Sequence, residues 1–200
     1  GGPVLLFTGA MDYWPNIDAV SWFAAEILPA IRARRPDVCF WIVGMNPSPA
    51  VQALAGAGVV VTGTVADVRP YLAHAEVVVA PLRIARGIQN KVLEAMAMAR
   101  PVVLSAAPAV GLAASSGTEC EIAADGPAFA QAVIELLDHP ERGAPMGTAA
   151  RDCVLRAYSW PAHLALLDQL LGVAQSAPAH DSVQAVEAEP AALRFRGKLS

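Results

Sequence analysis

Charge is scarce in this chain, and neither sign dominates. Only 16% of its 200 residues are charged, and 14 Lys+Arg against 18 Asp+Glu leave a formal net charge of −4. Such a balance does not suit a nucleic acid or an anionic membrane surface as partner. No apolar run reaches the roughly 18 residues that a membrane span needs. Cys39, Cys120 and Cys153 are odd in number and far apart, so they make neither a disulfide framework nor a zinc spacing. A reducing, cytoplasmic setting is expected from them. His74, His139, His163 and His180 have no second His, Cys or carboxylate at ligand spacing, and no metal is expected. Gly1-Gly2-Pro3 has no charged n-region and no initiator Met. A signal peptide is therefore not expected, and the chain reads as a piece of a longer protein. Two fingerprints are also missing: the spaced glycines of a dinucleotide loop and the Gly-x-Ser-x-Gly elbow of a hydrolase.

What is present is apolar. Hydrophobic residues make up 55% of the chain and the mean hydropathy is +0.43, which excludes a largely disordered polymer. Short continuous apolar runs closed by Gly or Pro read as strands buried on both faces. They are Val4 to Phe7, Cys39 to Val43, Val59 to Val61, Val77 to Ala80 and Val102 to Leu104, with a weaker one at Glu119 to Ala123. Helical spacing separates them. Asn16 reads as the N-cap of a helix from Ile17 into Arg35, stopped by Pro36. Short helices are expected at Val51 to Ala57 and Val68 to His74, and longer ones at Asn90 to Ala99, Pro127 to Leu137, Pro140 to Arg156 and Trp160 to Leu171. This alternation predicts an α/β fold, a doubly wound, Rossmann-like parallel sheet covered by helices. The expected domain is 1–172. Residues 173–200, rich in Ala, Ser, Pro, Gln and Glu, read as a flexible tail.

Ligands of such sheets lie beyond the carboxyl ends of the strands, which leaves three loops as candidates. The first is Thr8 to Asn16. Gly9 lets a backbone approach a ligand, Ala10 follows it, and the next helix offers free N–H groups to a phosphate; an ordinary strand-to-helix turn would read the same. Trp14 stands beside this loop. The second runs from Pro81 to Glu94 and carries Arg83, Arg86, Gln89, Asn90, Lys91 and Glu94. Gly87 and the N–H groups of Ile88 to Lys91 suit an anion at a helix start. The arginines and Lys91 suit a diphosphate. Glu94, one turn deeper, suits sugar hydroxyls. The plain alternative is a solvated, salt-bridged helix start. The third is Thr62 to Asp67, where Gly63 and Val65 belong to a tight turn able to read a base edge, or to a plain loop.

The segment Gly87-Ile88-Gln89-Asn90-Lys91-Val92-Leu93-Glu94-Ala95-Met96-Ala97, continuing to Pro101-Val102-Val103, resembles the retaining, family 4 ("group 1") glycosyltransferases of GT-B fold. Their signature is a Glu opening a Gly-containing loop, seven residues, then a Glu before Ala-Met-Ala and, further on, Pro-Val-Val. The likeness covers roughly Pro3 to Leu171, and the Gly-x-x-x-Lys-x-x-Glu form resembles a bacterial branch linked to exopolysaccharide synthesis. Arg86 stands where the family has its first Glu, usually placed against the donor sugar. The family's Arg and Lys after the first strand fall near Ala10 and Pro15.

The resemblance implies the C-terminal, donor-binding half of a two-domain enzyme that moves a sugar from a nucleotide sugar to a glycan or lipid-linked acceptor. Glu94 would hold the ribose. Arg83, Lys91 and the N–H groups at Gly9 and Gly87 would stabilise the leaving diphosphate. No cofactor is implied beyond a UDP- or GDP-sugar as substrate. The implied partner is an N-terminal acceptor domain, through which alone the protein would touch the inner membrane from the cytoplasm. This half alone is expected to be inactive. Two other readings compete: a fragment of a GT-B UDP-sugar epimerase, and a non-catalytic flavodoxin-like module.

Overall fold

The computed structural model describes residues 2–161 and 164. Six parallel strands lie in the order β3-β2-β1-β4-β5-β6. They are β1 (Val4–Thr8), β2 (Cys39–Val43), β3 (Val59–Val61), β4 (Val77–Ala80), β5 (Val102–Ser105) and β6 (Glu121–Ala123). The order turns back between β1 and β4, as expected of a doubly wound sheet. The central strands β1 and β4 are buried at every residue, whereas the edge strand β3 is nowhere fully buried. This is why the central runs are continuously apolar rather than alternating.

Alternate residues of β1 feed two cores, one on each face. Leu5 and Phe7 join Phe23, Phe40 and Phe129 on one side; Leu6 joins Val78, Met96 and Leu104 on the other. Phe23 lies 4.6 Å from Phe40 and 5.8 Å, edge-on, from Phe129, measured between ring centroids. The helices are α1 (Trp14–Trp22), α2 (Leu28–Arg34), α3 (Pro49–Gln52), α4 (Arg69–His74), α5 (Asn90–Ala97), α6 (Ala106–Ala109), α7 (Gly126–Asp138) and α8 (Pro140–Tyr158). No helix among the described residues is long and apolar enough to cross a membrane.

Three expectations need correction. Asn16 is not a cap: α1 starts at Trp14 with Tyr13 before it and Pro15 in its first turn, where a missing N–H costs nothing. Asn16 is instead a buried residue of the helix, 5% exposed. The single helix expected to run into Arg35 is interrupted by a π-helical turn, Phe23–Ile27, in which the N–H of Leu28 bonds the carbonyl of Phe23. Pro29 explains it, because a proline inside a helix supplies no N–H and crowds the carbonyl four residues back. The helix expected over Val51 to Ala57 is α3, which begins earlier, where the Ser48 hydroxyl accepts from the Val51 N–H. The short α6 had no counterpart in the sequence reading. The helix expected at Trp160 to Leu171 lies, past its first residues, outside the described residues, as do His163, His180 and the segment 173–200.

Candidate functional site

At the carboxyl ends of β1 and β2 two glycines bring the backbones together. A side chain on Gly44 would lie 1.7 Å from the Gly9 carbonyl oxygen, so neither loop could approach as it does with a larger residue at 44. The Gly9 N–H donates to the Val43 carbonyl at 3.1 Å, Met11 to Met45 at 2.8 Å and Ser48 to Met11 at 3.1 Å. The Asn46 side-chain amide, on a residue with φ 52°, donates to Asp12 at 3.1 Å. These bonds fix the floor of a cleft of about 480 Å³.

The cleft lies over the place where the strand order turns back. Gly9, Ala10 and Asn16 line it from the first loop, and Ile88, Gln89, Asn90, Lys91 and Glu94 from the start of α5. Val65 and Thr64 line it from the third loop. Of the candidate residues, Gly63, Arg83, Arg86 and Gly87 do not line it. Gly63 instead gives the third loop its left-handed turn, with φ 71°. Thr8, Tyr13, Gly44 and Met45 line the cleft as well. The stretch after β2 was not among the three candidate loops, although Gly44 closes its strand as Gly9 closes β1. The Thr8 hydroxyl oxygen is buried without a hydrogen-bond partner among the described residues. Trp14 is 59% exposed and is not part of the lining.

Lys91 sits at the centre. Its ammonium donates to the side-chain oxygen of Asn16, whose amide nitrogen donates to the Ala10 carbonyl at 2.9 Å. It also lies 4.3 Å from the centre of the Phe7 ring. A side chain on Gly9 would fall 3.1 Å from the Lys91 ammonium and 2.8 Å from the Asn16 amide, so glycine keeps this space open. Burial pulls the Lys91 amine down to about 8, partly opposed by the nearby Glu94 carboxylate. Glu94 is exposed, lines the cleft one turn beyond Lys91, and has no hydrogen-bond or ion-pair partner among the described residues. Among the described residues no side chain caps α5, so its first N–H groups remain available to an anion.

Arg83 is held elsewhere. Its guanidinium makes a two-pronged contact with Asp18 on α1, one prong at 2.9 Å, and lies over the Trp22 ring at 5.5 Å. The bond to Asp18 raises its pKa further. Arg86 and Gln89, with Tyr13, Pro15, Ile84 and Ala85, border a smaller hollow of about 240 Å³ beside the cleft. The Gln89 amide braces the loop by donating to the carbonyls of Arg86 and Gly87 at 3.1 and 3.2 Å. Among the described residues no histidine lines the cleft: His74 stacks on Trp41 with ring centroids 5.3 Å apart, and His139 faces Glu141 at 3.0 Å. Among the described residues no three His, Cys, Asp or Glu side chains come together as metal ligands would. Cys120 and Cys153 are buried free thiols, and burial pushes Cys120 up to about 12.

Residues 2–139 match the profile of a family described as "Glycosyl transferases group 1". The chain belongs to that family. No curated protein sequence matches it. Among solved structures, sucrose-phosphate synthase from Thermosynechococcus elongatus superposes with TM-score 0.67 and 23% identity over 86% of this chain and 45% of that one. A variant of S. aureus TarM, in complex with Fondaparinux, alpha-GlcNAc-glycerol and UDP, gives TM-score 0.71 and 18% identity over 86% and 35%. Anabaena HepE in complex with UDP-glucose gives 0.68 and 15% over 86% and 50%. The described sheet is the Rossmann-like parallel sheet of these GT-B glycosyltransferases, and the group 1 chain spans half or less of the length of each.

Proposed function

We propose that this chain is the nucleotide-sugar-binding half, the C-terminal domain, of a retaining family 4 glycosyltransferase that moves a sugar from a UDP- or GDP-sugar to a glycan or lipid-linked acceptor. The observation that carries the reading is the convergence of Gly9, Lys91 and Glu94 on one cleft over the turn in strand order. UDP and UDP-glucose in the HepE and TarM structures are consistent with it.

A nucleoside diphosphate fits this cleft in one sense. The third loop and the Gly44-Met45 stretch border the side toward β3, where a base would lie. The diphosphate would meet the Lys91 ammonium, the open Gly9 backbone and the N–H groups that begin α5. Glu94 would accept from the ribose hydroxyls. As the bond from sugar to diphosphate breaks, negative charge grows on the leaving oxygen. A cation and N–H dipoles already aimed there stabilise that charge without reorganising. Arg83, bound to Asp18, takes no direct part in this reading.

Calorimetry of the chain with UDP, GDP and ADP tests the proposal and identifies the base. Saturable binding of UDP or GDP is expected, with no sugar transfer by the chain alone. Failure of both UDP and GDP to bind would refute the reading.

A further inference from the structure

All but one of the described arginines are occupied. Among the described residues Arg34, Arg35, Arg69, Arg83, Arg142 and Arg156 each face a carboxylate. Arg32, Arg100 and Arg151 each donate to a backbone carbonyl. Of the described arginines, Arg86 alone has neither. It is exposed, and it borders the hollow that shares Tyr13 and Gln89 with the cleft.

The position of that hollow follows from the sheet. Strands β2 and β3 lie on one side of β1, and β4, which leads into the Arg86 loop, lies on the other. A ligand with its base toward β3 and its diphosphate at Gly9 and Lys91 therefore carries its next group toward Tyr13, Gln89 and Arg86. A guanidinium cannot accept a hydrogen bond, so it is poorly matched to a neutral sugar hydroxyl that needs an acceptor. It does match a carboxylate, to which it donates two parallel bonds.

We propose that Arg86 selects the donor: the hollow takes a nucleotide sugar whose ring carries a carboxylate, held by the Arg86 fork. The inference rests on the nucleotide-sugar reading above.

The test is calorimetry of the 200-residue chain with UDP and GDP alone and with two matched pairs, UDP-glucose with UDP-glucuronate and GDP-mannose with GDP-mannuronate. Within each pair CH2OH is replaced by a carboxylate. In the pair on the bound base, the acidic sugar is expected to bind about tenfold more tightly, as one charge-assisted contact at a partly solvated site would give. Arg86→Gln is expected to erase that preference while leaving UDP or GDP affinity unchanged. Equal affinity within the pair would overturn the proposal and leave the nucleotide reading intact. So would an Arg86→Gln variant that binds the diphosphate and both sugars equally less well, which would make Arg86 a phosphate ligand. Binding of neither UDP nor GDP would overturn both readings together.

Discussion

The Lys91 ammonium donates its hydrogen bond to the side-chain oxygen of Asn16, a residue 75 positions earlier in the chain. The contact joins the first turn of α5 to the first turn of α1, and a third member, the Ala10 carbonyl, completes it. Asn16→Ala removes one acceptor and one donor from a buried position. The expected cost is about 1–3 kcal/mol of stability, the penalty for leaving buried polar groups unmatched. Thermal melts would read it, and nucleotide affinity should fall as well, because Lys91 is no longer held.

Lys91 predicts two opposite pH trends. Its folded pKa of about 8 lies below its ordinary 10.5. Between these values the unfolded chain holds a proton that the folded chain has released, so stability contributed by this group rises with pH across the window. Diphosphate binding needs the protonated amine and should weaken as pH passes about 8. Lys91→Met should flatten both trends and weaken diphosphate binding roughly ten- to hundredfold, the value of a lost charge-assisted bond. Denaturant titrations and calorimetry from pH 7 to 10 would show whether the trends diverge; parallel slopes would count against this role for Lys91.

Glu94→Gln separates binding from folding. The residue is exposed and has no hydrogen-bond or ion-pair partner among the described residues, so the melting temperature should hardly move, as for surface positions that change stability within about 0.5 kcal/mol. Affinity for the ribonucleoside diphosphate should drop about tenfold. Discrimination against the 2′-deoxy analogue should shrink with it. A lowered melting temperature with unchanged affinity would make Glu94 a structural residue.

Gly44→Ala would drive a methyl to 1.7 Å from the Gly9 carbonyl oxygen. One strand end must then retreat. A loss of about 1–3 kcal/mol is expected from such overpacking, together with weaker nucleotide binding by the protein that does fold. Gly63→Ala is the contrast: none of the described residues lies within 4 Å of its added methyl, and the cost is backbone strain at φ +71°, about 1 kcal/mol.

Five of the strands were legible because each is built on a continuous apolar run ended by a glycine, a proline or a polar turn; β6, which begins at Glu121, was the weaker signal. Their central members are buried on both sides, which removes the ambiguity of an alternating pattern. Helix starts were harder to read. Asn16 looks like a cap because Asn usually caps, yet Pro15 moves the start back to Trp14 and turns Asn16 inward toward Lys91. The same limit hid the placement of Arg83. Its partner Asp18 lies 65 residues away on another helix, and local spacing carries no record of that. The polar start of α5 stood out in an otherwise apolar chain. Gly44 and Met45 did not, because their part in the cleft depends on backbone proximity rather than on chemistry a side chain displays.

The bonds that join the β1 and β2 loops, from Met11 to Met45 and from Ser48 to Met11, run between main-chain atoms. Main-chain bonds are indifferent to the side chains they pass and are broken outright only by proline at a donor. The floor of the cleft can thus keep its shape while residues 10, 45, 64 and 65 are exchanged by drift. Descendants of one such domain could come to recognise different nucleotides without having to find a new way to fold.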